Sequence, residues 1–582
     1  MKKITFLAIV TLLSITGAHA VSMSGTYKVG TTTGADFASL SAAVAAINSA
    51  TIEGNLVLEI TSDITEPANF GLAKDLGTYT LTIRPDMDMD RTITFTQATA
   101  NTFPVGHFVI GYQAAGFALA VSDTYHVGTS NVTIDGYAVG GTTKRLKFTT
   151  TAASLAGSAL ITVYGNSDNV TIKNCMLENN STAATPRAIY YYSRTVNDVI
   201  EAVPDNLTIE NNHISSMGSP TGQGIVGVNS GTGSARPANM KILNNYILAQ
   251  GRCMELHYFG AGLLVQGNEI KLSQQGNAGT TNYALWIRTG VGPVNIIGNK
   301  FTEISTKEAG TTGTLGTRAI SCGSIEHNIF NNTFSGMNRT GAATASVHQS
   351  YIFLIGTGKV YNNTFYMPAL TAASTPGDYI AIQTQNSKVF DIKNNIFVSD
   401  DDNKAVFIRD VNTTAPDYNI YYLRAGNTNA KVVSTYATLA DYKTANATHD
   451  INSKSVNVEF TDAAAGDLRL TGNSVSDANL LVPSLTEVPT DMFGTTRLAT
   501  TFAGAHQADY VQTGTSAALL SGAIQKTSEG ISINLKERSE LSIHTISGQL
   551  VDKTTVTGSY NRNLPTGMYI VTINGVTTKY IQ

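Results

Sequence analysis

Charged side chains are scarce in this sequence. Only 14% of its 582 residues are Asp, Glu, Lys or Arg, whereas an average soluble domain has about a quarter. The formal net charge is -4, so the chain lacks the basic character that nucleic-acid binding requires, and we expect no nucleic-acid partner. Low charge with 52 glycines and abundant Asn and Thr favours a long all-β protein.

Cysteine and the common catalytic motifs are also nearly missing. The 3 cysteines and 10 histidines do not have the spacing of a metal site. The sequence contains no G-x-S-x-G, H-E-x-x-H or Cys/His pairing. We interpret Cys175, Cys253 and Cys322 as buried free thiols. The sequence therefore predicts no cofactor, apart from one calcium candidate described below.

Apolar runs long enough to cross a membrane do not occur in the mature chain. Residues 1–20 read MKKITFLAIVTLLSITGAHA, in which Lys2 and Lys3 precede an apolar run and Ala18-His19-Ala20 fits a cleavage site. The run is too short for a transmembrane helix, which needs about 20 apolar residues. We predict a secretory signal peptide over 1–20, cleaved after Ala20, and no transmembrane segment in the mature chain.

What the sequence does contain is a six-residue phrase that returns eight times. It consists of a β-branched residue, any residue, Asn or Gly, Asn, any residue, and then Ile, Leu or Phe. The copies begin at Ile172, Ile209, Ile242, Val265, Ile296, Ile329, Val360 and Ile392. Such self-similarity at intervals of 23 to 37 residues predicts a solenoid.

Each position of the phrase has its own chemistry. The first and sixth positions are apolar, as expected of inward strand positions. The third is Asn or Gly, the residues that most readily adopt a left-handed backbone, so it predicts a turn. The fourth is Asn except at Cys175, which predicts inward amides hydrogen-bonded from coil to coil. A strand, a one-residue bend and a second strand, repeated at constant pitch, indicate a parallel β-helix.

These stacked phrases resemble the right-handed parallel β-helix repeats of secreted bacterial proteins, the architecture of pectate lyases and their many non-enzymatic relatives. The resemblance implies a fold and not an activity. We expect an all-β protein: a right-handed parallel β-helix with an N-terminal capping helix, followed by a small C-terminal β-sandwich. The repeats predict β-helix coils over 126–425, preceded by an N-terminal cap and first coils over 21–125.

The predicted N-terminal cap is one amphipathic helix. Phe37, Leu40, Val44 and Ile47 recur at helical spacing, with Asp36 as the expected N-cap and Gly54 after the expected end. Such a helix would cover the open core of the first coil. The ADF-x-SL wording also resembles the N-terminal segment of Bacteroidetes-type secreted β-helix proteins.

The repeat ends near residue 425. Residues 426–510, with the preceding DYNIYY strand, resemble the closing segment of the same group of proteins through a TLADYK helix and a GDLRL strand. We predict that 426–510 caps the C-terminal end of the β-helix. Residues 511–527 are small and polar, which indicates a linker.

Residues 528–582 alternate strand-like runs with turn dipeptides, and we predict about seven short strands in a compact β-sandwich. The runs LSIHTISGQLV and LPTGMYIV resemble the C-terminal sorting domain of the type IX secretion system of Bacteroidetes. The resemblance marks a sorting motif of Pro565, Gly567, Tyr569 and Lys579. It implies the type IX secretion machinery as a partner, passage through the outer membrane, removal of this domain, and then surface attachment or release.

Only the fifth position of the phrase is free to carry function. Adjacent coils lie about 4.8 Å apart, so His213, Tyr246, Glu269 and Lys300 are expected to form one outward patch. A base, an aromatic platform, an acid and a cation could hold or cleave an acidic sugar chain. The alternative, which we favour, is a solvated face with a Glu269 to Lys300 cross-strand pair.

A second candidate is the DMDMDR run, in which Asp86, Asp88 and Asp90 alternate and would share one strand face. Three carboxylates could bind calcium, as lyases of the resembling fold require. The alternative is a polar loop edge, and the run of Asp400, Asp401 and Asp402 has the same appearance.

Aromatic residues supply a third candidate, because they could stack on sugar rings or simply face the core. They are Tyr190, Tyr191, Tyr192, Tyr258 and Trp286. We predict a secreted or surface-attached protein that binds glycan or acts as an adhesin, with polysaccharide or host or cell-surface glycan as partner. A polysaccharide lyase or glycoside hydrolase acting in a groove on the β-helix side is the first alternative, and a structural surface protein is the second.

Overall fold

The computed structural model describes residues 21–96, 106–112, 128–151, 158–192, 194–196, 199–227, 235–273, 282–307, 317–340, 349–370, 379–385, 388–401, 404–409, 415–424, 430–433, 435–510, 523–574 and 576–582. The predicted signal peptide and most of the predicted linker lie outside these residues. Neither helix in the described part of the chain has the length and apolar character needed to cross a bilayer.

Three long parallel sheets, here named A, B and C, form a parallel β-helix, as predicted. The chain passes through A, B and C in turn, so each coil adds one strand to each sheet. Sheet A contains Ser22–Val29, Thr51–Ile60, Leu81–Pro85, Val132–Asp135, Thr171–Lys173, Thr208–Glu210, Lys241–Leu243, Leu264–Gln266, Val294–Ile297, Glu326–Phe330, Thr357–Tyr361 and Phe390–Lys393. The strand-like runs before residue 150 are therefore true coils.

Sheets B and C have the same stacking. Sheet B contains Ile64–Glu66, Arg91–Phe95, Leu146–Thr150, Met176–Glu178, His213–Ser216, Tyr246–Ala249, Glu269–Ser273, Lys300–Lys307, Thr333–Phe334, Thr364–Met367, Ile396–Ser399 and Ile420–Leu423, and Asn338–Thr340 pairs beside Lys300–Lys307. Sheet C contains Phe70–Leu72, Gly106–Ile110, Ala159–Tyr164, Arg187–Tyr192, Gln223–Gly227, Arg252–Leu256, Asn282–Ile287, Thr317–Cys322, Gln349–Leu354, Tyr379–Thr384, Ala405–Arg409 and Lys431–Val433. A hairpin of Arg194–Val196 and Val199–Ala202 lies outside the three sheets.

The repeated phrase forms the corner between sheets A and B. All eight residues at its third position have positive φ, between 51° and 68°, as the Asn and Gly pattern predicted. They are Asn174, Asn211, Asn244, Gly267, Gly298, Asn331, Asn362 and Asn394. The left-handed residue turns the chain so that the next side chain points into the core.

The fourth position forms the predicted amide ladder. Its members are Asn212, Asn245, Asn268, Asn299, Asn332, Asn363 and Asn395, and Asn419 continues the series. In each step the backbone N–H and the side-chain NH₂ of one Asn donate to the Oδ1 of the next, at 2.8 to 3.1 Å. The ladder joins nine coils, since Cys175 at its start donates its backbone N–H to Asn212.

Apolar columns fill the space between the sheets. Every residue at the first and sixth positions of the phrase is fully buried. At the sixth position Phe301, Phe334, Phe365 and Phe397 stack with ring centroids 4.7 to 5.0 Å apart, and Tyr421 extends the stack at 5.2 Å. The three cysteines are buried and free, which confirms their interpretation.

A helix over Leu40–Ser49 covers the N-terminal end of the core with Leu40, Val44 and Ile47. Its N-cap is Ser39, whose hydroxyl accepts from the N–H of Ala42, and not Asp36 as the sequence suggested. The Asp36 carboxylate instead accepts the backbone N–H of Lys28 on the first strand. The helix ends at Ser49 and not next to Gly54 as expected. Gly54 belongs instead to the strand Thr51–Ile60, which pairs with Ser22–Val29 in sheet A.

Residues 430–510 form two parts, one at the last coil and one along the side of the β-helix. The strand Lys431–Val433 and a helix over Leu439–Ala445 lie at the last coil, as expected of a C-terminal cap. Residues 456–509 instead run back along the side of the β-helix. They contain the strand pairs Phe460–Asp462 with Asp467–Leu470 and Leu481–Pro483 with Thr500–Phe502, and 3-10 turns over Gly472–Ser476 and Ala478–Leu480.

This returning segment is fixed to the A–B corner through polar contacts. Arg497 is buried and donates to Oδ1 of Asn331 and to the carbonyl of Gly504. The side chain of Asn394 donates to the carbonyl of Pro483. Three of the left-handed asparagines, Asn331, Asn362 and Asn394, thus each donate a side-chain N–H to a backbone carbonyl of this segment.

The C-terminal domain has five antiparallel strands and not the predicted seven. They are Ile524–Lys526, Gly530–Thr545, Leu550–Asn563, Met568–Ile573 and Val576–Ile581. Two long strands, with a register shift between Leu535 and Ser539, replace the several short ones expected. The first strand begins within the predicted linker, and the domain has its own apolar core, which includes Ile533, Ile543 and Val571.

Candidate functional site

The fifth positions of the phrase lie on consecutive strands of sheet B, as the spacing predicted. His213 pairs with Tyr246, Tyr246 with Glu269, and Glu269 with Lys300. The rings of His213 and Tyr246 stack with centroids 4.7 Å apart. His213, Tyr246 and Glu269 line an open groove of about 350 Å³ together with Lys144 and the corner amides.

Lys300 does not share this groove. It lines a separate cavity of about 260 Å³ with Asp467, Arg469 and Phe493 of the returning segment. Glu269 and Lys300 are cross-strand neighbours, as predicted. The ion pair of Glu269 is with Lys271 at 3.5 Å, however, and Lys271 also pairs with Glu303 at 2.7 Å. The returning segment was not expected along this face, and it divides the predicted patch.

Burial and neighbouring charges shift the pKa values of two side chains in the groove. Burial lowers the pKa of His213, with Lys144 and Lys147 adding to the effect and Glu178 opposing it. Burial also raises the pKa of Tyr246. Burial thus favours the neutral form of His213, and the carboxylate of Glu269 lies 3.5 Å from the ammonium group of Lys271.

The three carboxylates proposed to bind calcium form ion pairs with arginines. Asp86 pairs with Arg91 at 2.8 Å, while Asp88 and Asp90 bind Arg145 at 2.8 and 3.0 Å. The hydrogen bond from Arg145 lowers the pKa of Asp88. Within the described ranges no group of three His, Cys, Asp or Glu side chains is placed to hold a metal ion.

Asp400 and Asp401 of the second acidic run also accept hydrogen bonds from other residues. Asp400 accepts from the hydroxyl of Tyr366 at 2.6 Å and from Arg424. Asp401 accepts the backbone N–H of Lys404. Asp402 lies outside the described residues.

The aromatic candidates separate according to the face of sheet C on which they lie. Tyr191 points inward and belongs to the main core. Tyr190 and Tyr192 point outward, where they are buried in a small cluster with Tyr112 and Tyr164. The sequence could not assign these faces. Trp286 is also outward and stays half-buried.

Trp286 lies at the centre of an arginine-rich surface that sequence reasoning missed. The guanidinium groups of Arg252 and Arg288 are 4.8 and 4.3 Å from its ring centroid, and Tyr283 stacks on it at 4.5 Å. Each cation gains from the negative face of the ring. Arginine and aromatic side chains thus alternate across the outer face of sheet C.

Two further arginines on this surface have the same arrangement. Arg187 lies 4.7 Å from the ring centroid of Tyr190, and Arg318 lies 3.6 Å from that of Phe353. We name these four arginines (187, 252, 288 and 318), with Tyr190, Tyr283, Trp286 and Phe353, the arginine–aromatic face. It lies on strands that belong to five of the coils of sheet C.

Positive charge exceeds negative charge on the arginine–aromatic face. Glu255 is the only carboxylate in the strands of sheet C, and it binds Arg252 at 2.5 Å and Arg288 at 3.4 Å. Glu255 is thus paired with two of the four arginines of this face. Burial lowers the pKa of Arg318. Its guanidinium group donates a weak hydrogen bond to the hydroxyl of Ser321 at 3.5 Å, and this partner carries no charge.

The cationic character continues at the end of the strand Arg252–Leu256. Arg236 lies 4.8 Å from the ring centroid of Tyr258. Burial, together with the positive charge of Arg288 and Arg236, lowers the pKa of His257 to about 4. Beside these residues, Trp286, Arg288 and Thr289 line an open pocket of about 320 Å³.

A fixed sequence spacing could not have revealed this surface. The arginines follow the ladder position of their own coil by 12, 7 and 19 residues for Arg187, Arg252 and Arg318, because the connections between sheets B and C differ in length. The usable signal was compositional: the strands of sheet C contain Arg and aromatic residues with a single acid.

The residues of the predicted sorting motif come together in the C-terminal domain. The hydroxyl of Tyr569 donates to the carbonyl of Pro565 at 2.8 Å. Gly567 exchanges backbone hydrogen bonds with Gln582, and Lys579 pairs with Ile570. The motif thus closes the last hairpin of the domain.

Comparisons with known proteins add little. No protein-family model matches the chain, and no curated protein matches it. One similar solved structure is a complex of XylC with xylose, which is 11% identical; the alignment covers 83% of this chain and 98% of the other, with a TM-score of 0.43. At this similarity nothing about function follows from it.

Proposed function

We propose that this chain is a secreted or cell-surface glycan-binding protein whose ligand lies on the arginine–aromatic face of sheet C. The supporting observation is the half-buried ring of Trp286, which contacts the guanidinium groups of Arg252 and Arg288 on strands that contain one carboxylate. Aromatic rings contact the apolar faces of sugars, and guanidinium groups donate to hydroxyl, carboxylate or sulfate oxygens.

Binding is favoured over hydrolysis by the same surface. Glycoside hydrolases use two carboxyl groups roughly 5 to 9.5 Å apart. Glu255 is the only carboxylate in the strands of sheet C, and both of its oxygens are engaged by arginine. The hydrolase alternative therefore has no pair of carboxyl groups among the described side chains of these strands.

Trp286 allows a direct test, because it is the only tryptophan in the chain. Glycans added to the mature protein should change its fluorescence. Arg252→Ala should weaken binding about tenfold or more, since a hydrogen bond to a charged group is worth about 1.5–3 kcal/mol.

The matched control is Tyr246→Ala, which removes the aromatic platform of the sheet B groove. It should leave the affinity unchanged. Loss of binding in Tyr246→Ala but not in Arg252→Ala would move the site to sheet B. Unchanged glycan binding in a Glu269→Ala, Lys300→Ala variant would exclude the fifth positions of the phrase as the binding site.

We also propose that residues 528–582 direct export by the type IX secretion machinery after removal of the signal peptide, and are then cleaved off. The support is the sequence resemblance and the way Pro565, Gly567 and Tyr569 close one folded hairpin. When the full chain is expressed in a host with this machinery, we expect the protein to reach the cell surface or the medium after loss of residues 528–582. A chain lacking 528–582 that is exported equally well would refute the proposal.

A further inference from the structure

The cavity that Lys300 shares with the returning segment has walls fixed by close backbone contacts. Gly466 lines it with a φ of 75°, and a Cβ at this residue would lie only 2.5 Å from Cγ2 of Thr302 on sheet B. The hairpin of the returning segment therefore lies directly on sheet B. The volume of about 260 Å³ is slightly below the roughly 300–1,000 Å³ of drug-sized ligand pockets, so the cavity has room for one small molecule.

A tight turn of the returning segment supplies the apolar part of the cavity. The carboxylate of Asp491 accepts the backbone N–H groups of Phe493 and Thr495 at 2.9 and 2.8 Å, which fixes the turn. The ring of Phe493 packs edge-on against His506 with centroids 5.8 Å apart, yet Phe493 is 58% exposed. An aromatic ring held beside a cavity in this way offers an apolar face to a planar ligand.

Lys300 supplies a cation, because the two carboxylates nearest to it in the sheet and in the cavity have other partners. Its cross-strand neighbour Glu269 pairs with Lys271. Asp467, which also lines the cavity, pairs with Arg469 at 2.5 Å. Hydrogen bonds from Arg469 lower the pKa of Asp467, burial opposes them, and the charge of Lys300 adds to the lowering. Two cationic side chains and one anionic side chain therefore line the cavity, which favours an anionic ligand.

Thr333, the cross-strand neighbour of Lys300, brings a buried hydroxyl to the same cavity. The residue is 4% exposed, and its Oγ1 has no hydrogen-bond partner among the described residues. Thr364, the next residue of the row, instead accepts the backbone N–H of Ala505 at 2.9 Å. Buried hydroxyl groups are normally paired, so the hydroxyl of Thr333 indicates that a polar atom enters from the cavity.

We propose that this cavity binds one small aromatic carboxylic acid. The carboxylate accepts from the ammonium group of Lys300 and from the hydroxyl of Thr333, in charge-assisted hydrogen bonds. The ring of the acid lies against Phe493 and Met492, since aromatic rings and thioether groups both attract a second ring. The site lies on sheet B, and it neither requires nor extends the glycan-binding function proposed for sheet C.

The test uses the mature full-length chain, with ligand-observed NMR and calorimetry as readouts. Cinnamate carries a carboxylate on an aromatic body, and cinnamamide is its uncharged counterpart. Hexanoate lacks the ring, and glucuronate has a sugar in its place. We expect cinnamate to bind about tenfold or more tightly than each of the other three, because only cinnamate uses both the cation and the apolar wall.

Variants separate charge, hydroxyl and packing. Lys300→Gln should weaken cinnamate binding about tenfold or more and leave cinnamamide binding unchanged. Thr333→Val should weaken cinnamate binding several-fold without lowering the melting temperature, because the lost hydroxyl has no partner among the described residues. Lys359→Gln is the matched control, since Lys359 pairs with Glu487 of the same returning segment at 2.8 Å, and it should change neither quantity.

The outcomes that contradict the proposal are distinct. Equal binding of cinnamate and cinnamamide, or unchanged cinnamate binding in Lys300→Gln, would overturn the recognition of a carboxylate. Tighter binding of hexanoate or glucuronate would overturn the assignment to an aromatic acid. Binding of none of the four compounds would show a hydrated void and overturn the whole proposal. None of these results bears on sheet C, and Arg252→Ala should bind cinnamate as the wild type does.

Discussion

Each inward asparagine of the A–B corner forms several hydrogen bonds. Asn299, for example, accepts the backbone N–H and the side-chain NH₂ of Asn268 and donates to Val265 and Asn332. Each side chain therefore satisfies groups on the coils before and after it. A buried polar group that loses its partner costs about 1–3 kcal/mol.

Replacing one ladder asparagine should therefore destabilise the β-helix strongly. We expect Asn299→Ala to lower the free energy of unfolding by roughly 3 kcal/mol or more, because it leaves donors of Asn268 and the carbonyl of Val265 unpaired. Asn328→Ala is the control, since Asn328 donates to Asn295 on the outer face of sheet A. Equal losses in thermal or denaturant unfolding would contradict a special role for the ladder.

A second residue-scale prediction concerns acid stability. His327 is fully buried. Burial lowers its pKa to about 4, with the backbone of Ile325 and Thr357 opposing the effect. The native state thus binds fewer protons than the unfolded state between pH 6.5 and 4. The stability that neutral His327 provides is present above pH 6.5 and is lost as the pH falls towards 4.

We therefore expect His327→Leu to make the melting temperature less dependent on pH between 6.5 and 4. The difference corresponds to at most about 3 kcal/mol, because the pKa of His327 is lowered from 6.5 to about 4. The measurement is a series of thermal melts of both proteins across this range. Parallel pH profiles for the two proteins would rule out His327 as a source of acid sensitivity.

At the scale of the element, the amide ladder needs an end. Asn419 donates its backbone N–H to Ser453 and its side-chain amide to Asp450, which also accepts from Tyr421 and Ser453. A carboxylate only accepts hydrogen bonds, so it can terminate a series of donors. Its position is costly, because burial raises the pKa of Asp450 to about 6.

The raised pKa has a defined consequence for stability. Between about pH 4 and 6 the native state binds more protons at Asp450 than the unfolded state does, so stability falls as the pH rises through 6. Asp450→Asn keeps an acceptor oxygen for Asn419 without the charge. We expect the variant to be more stable than the wild type at pH 8, by up to about 3 kcal/mol, and similar at pH 4. Urea unfolding at the two pH values gives this comparison, and a variant less stable at pH 8 would contradict it.

At the scale of the whole molecule, the β-helix and the C-terminal domain have separate cores. The core of the C-terminal domain draws only on residues between Ile524 and Tyr580. The main core and the core under the returning segment draw only on residues before 510.

We therefore expect a chain that ends at residue 510 to melt within a few degrees of the β-helix transition of the full chain. By contrast, Tyr569→Ala should unfold the C-terminal domain alone, because it removes a buried ring and its bond to Pro565. Differential scanning calorimetry resolves the two transitions. A β-helix transition that moves with Tyr569→Ala would show that the two cores are coupled.

The sequence by itself determined the parallel β-helix, its A–B corner and its ladder. The corner and the ladder repeat over successive coils, so each of their positions becomes a column of similar residues that can be recognised in the sequence, as with the asparagines at 212 to 395. It also placed His213, Tyr246 and Glu269 on adjacent strands, because their spacing from the ladder is constant.

Only the tertiary structure decided which residues share a surface. Residues 456–509 fold back over the corner and line a cavity with Lys300, apart from the groove that contains Glu269. This is a contact between segments far apart in sequence. Connections of unequal length hide the register of Arg187, Arg252 and Arg318. Their alignment in one row of sheet C arises from hydrogen bonding between coils, and no fixed spacing in the chain records it.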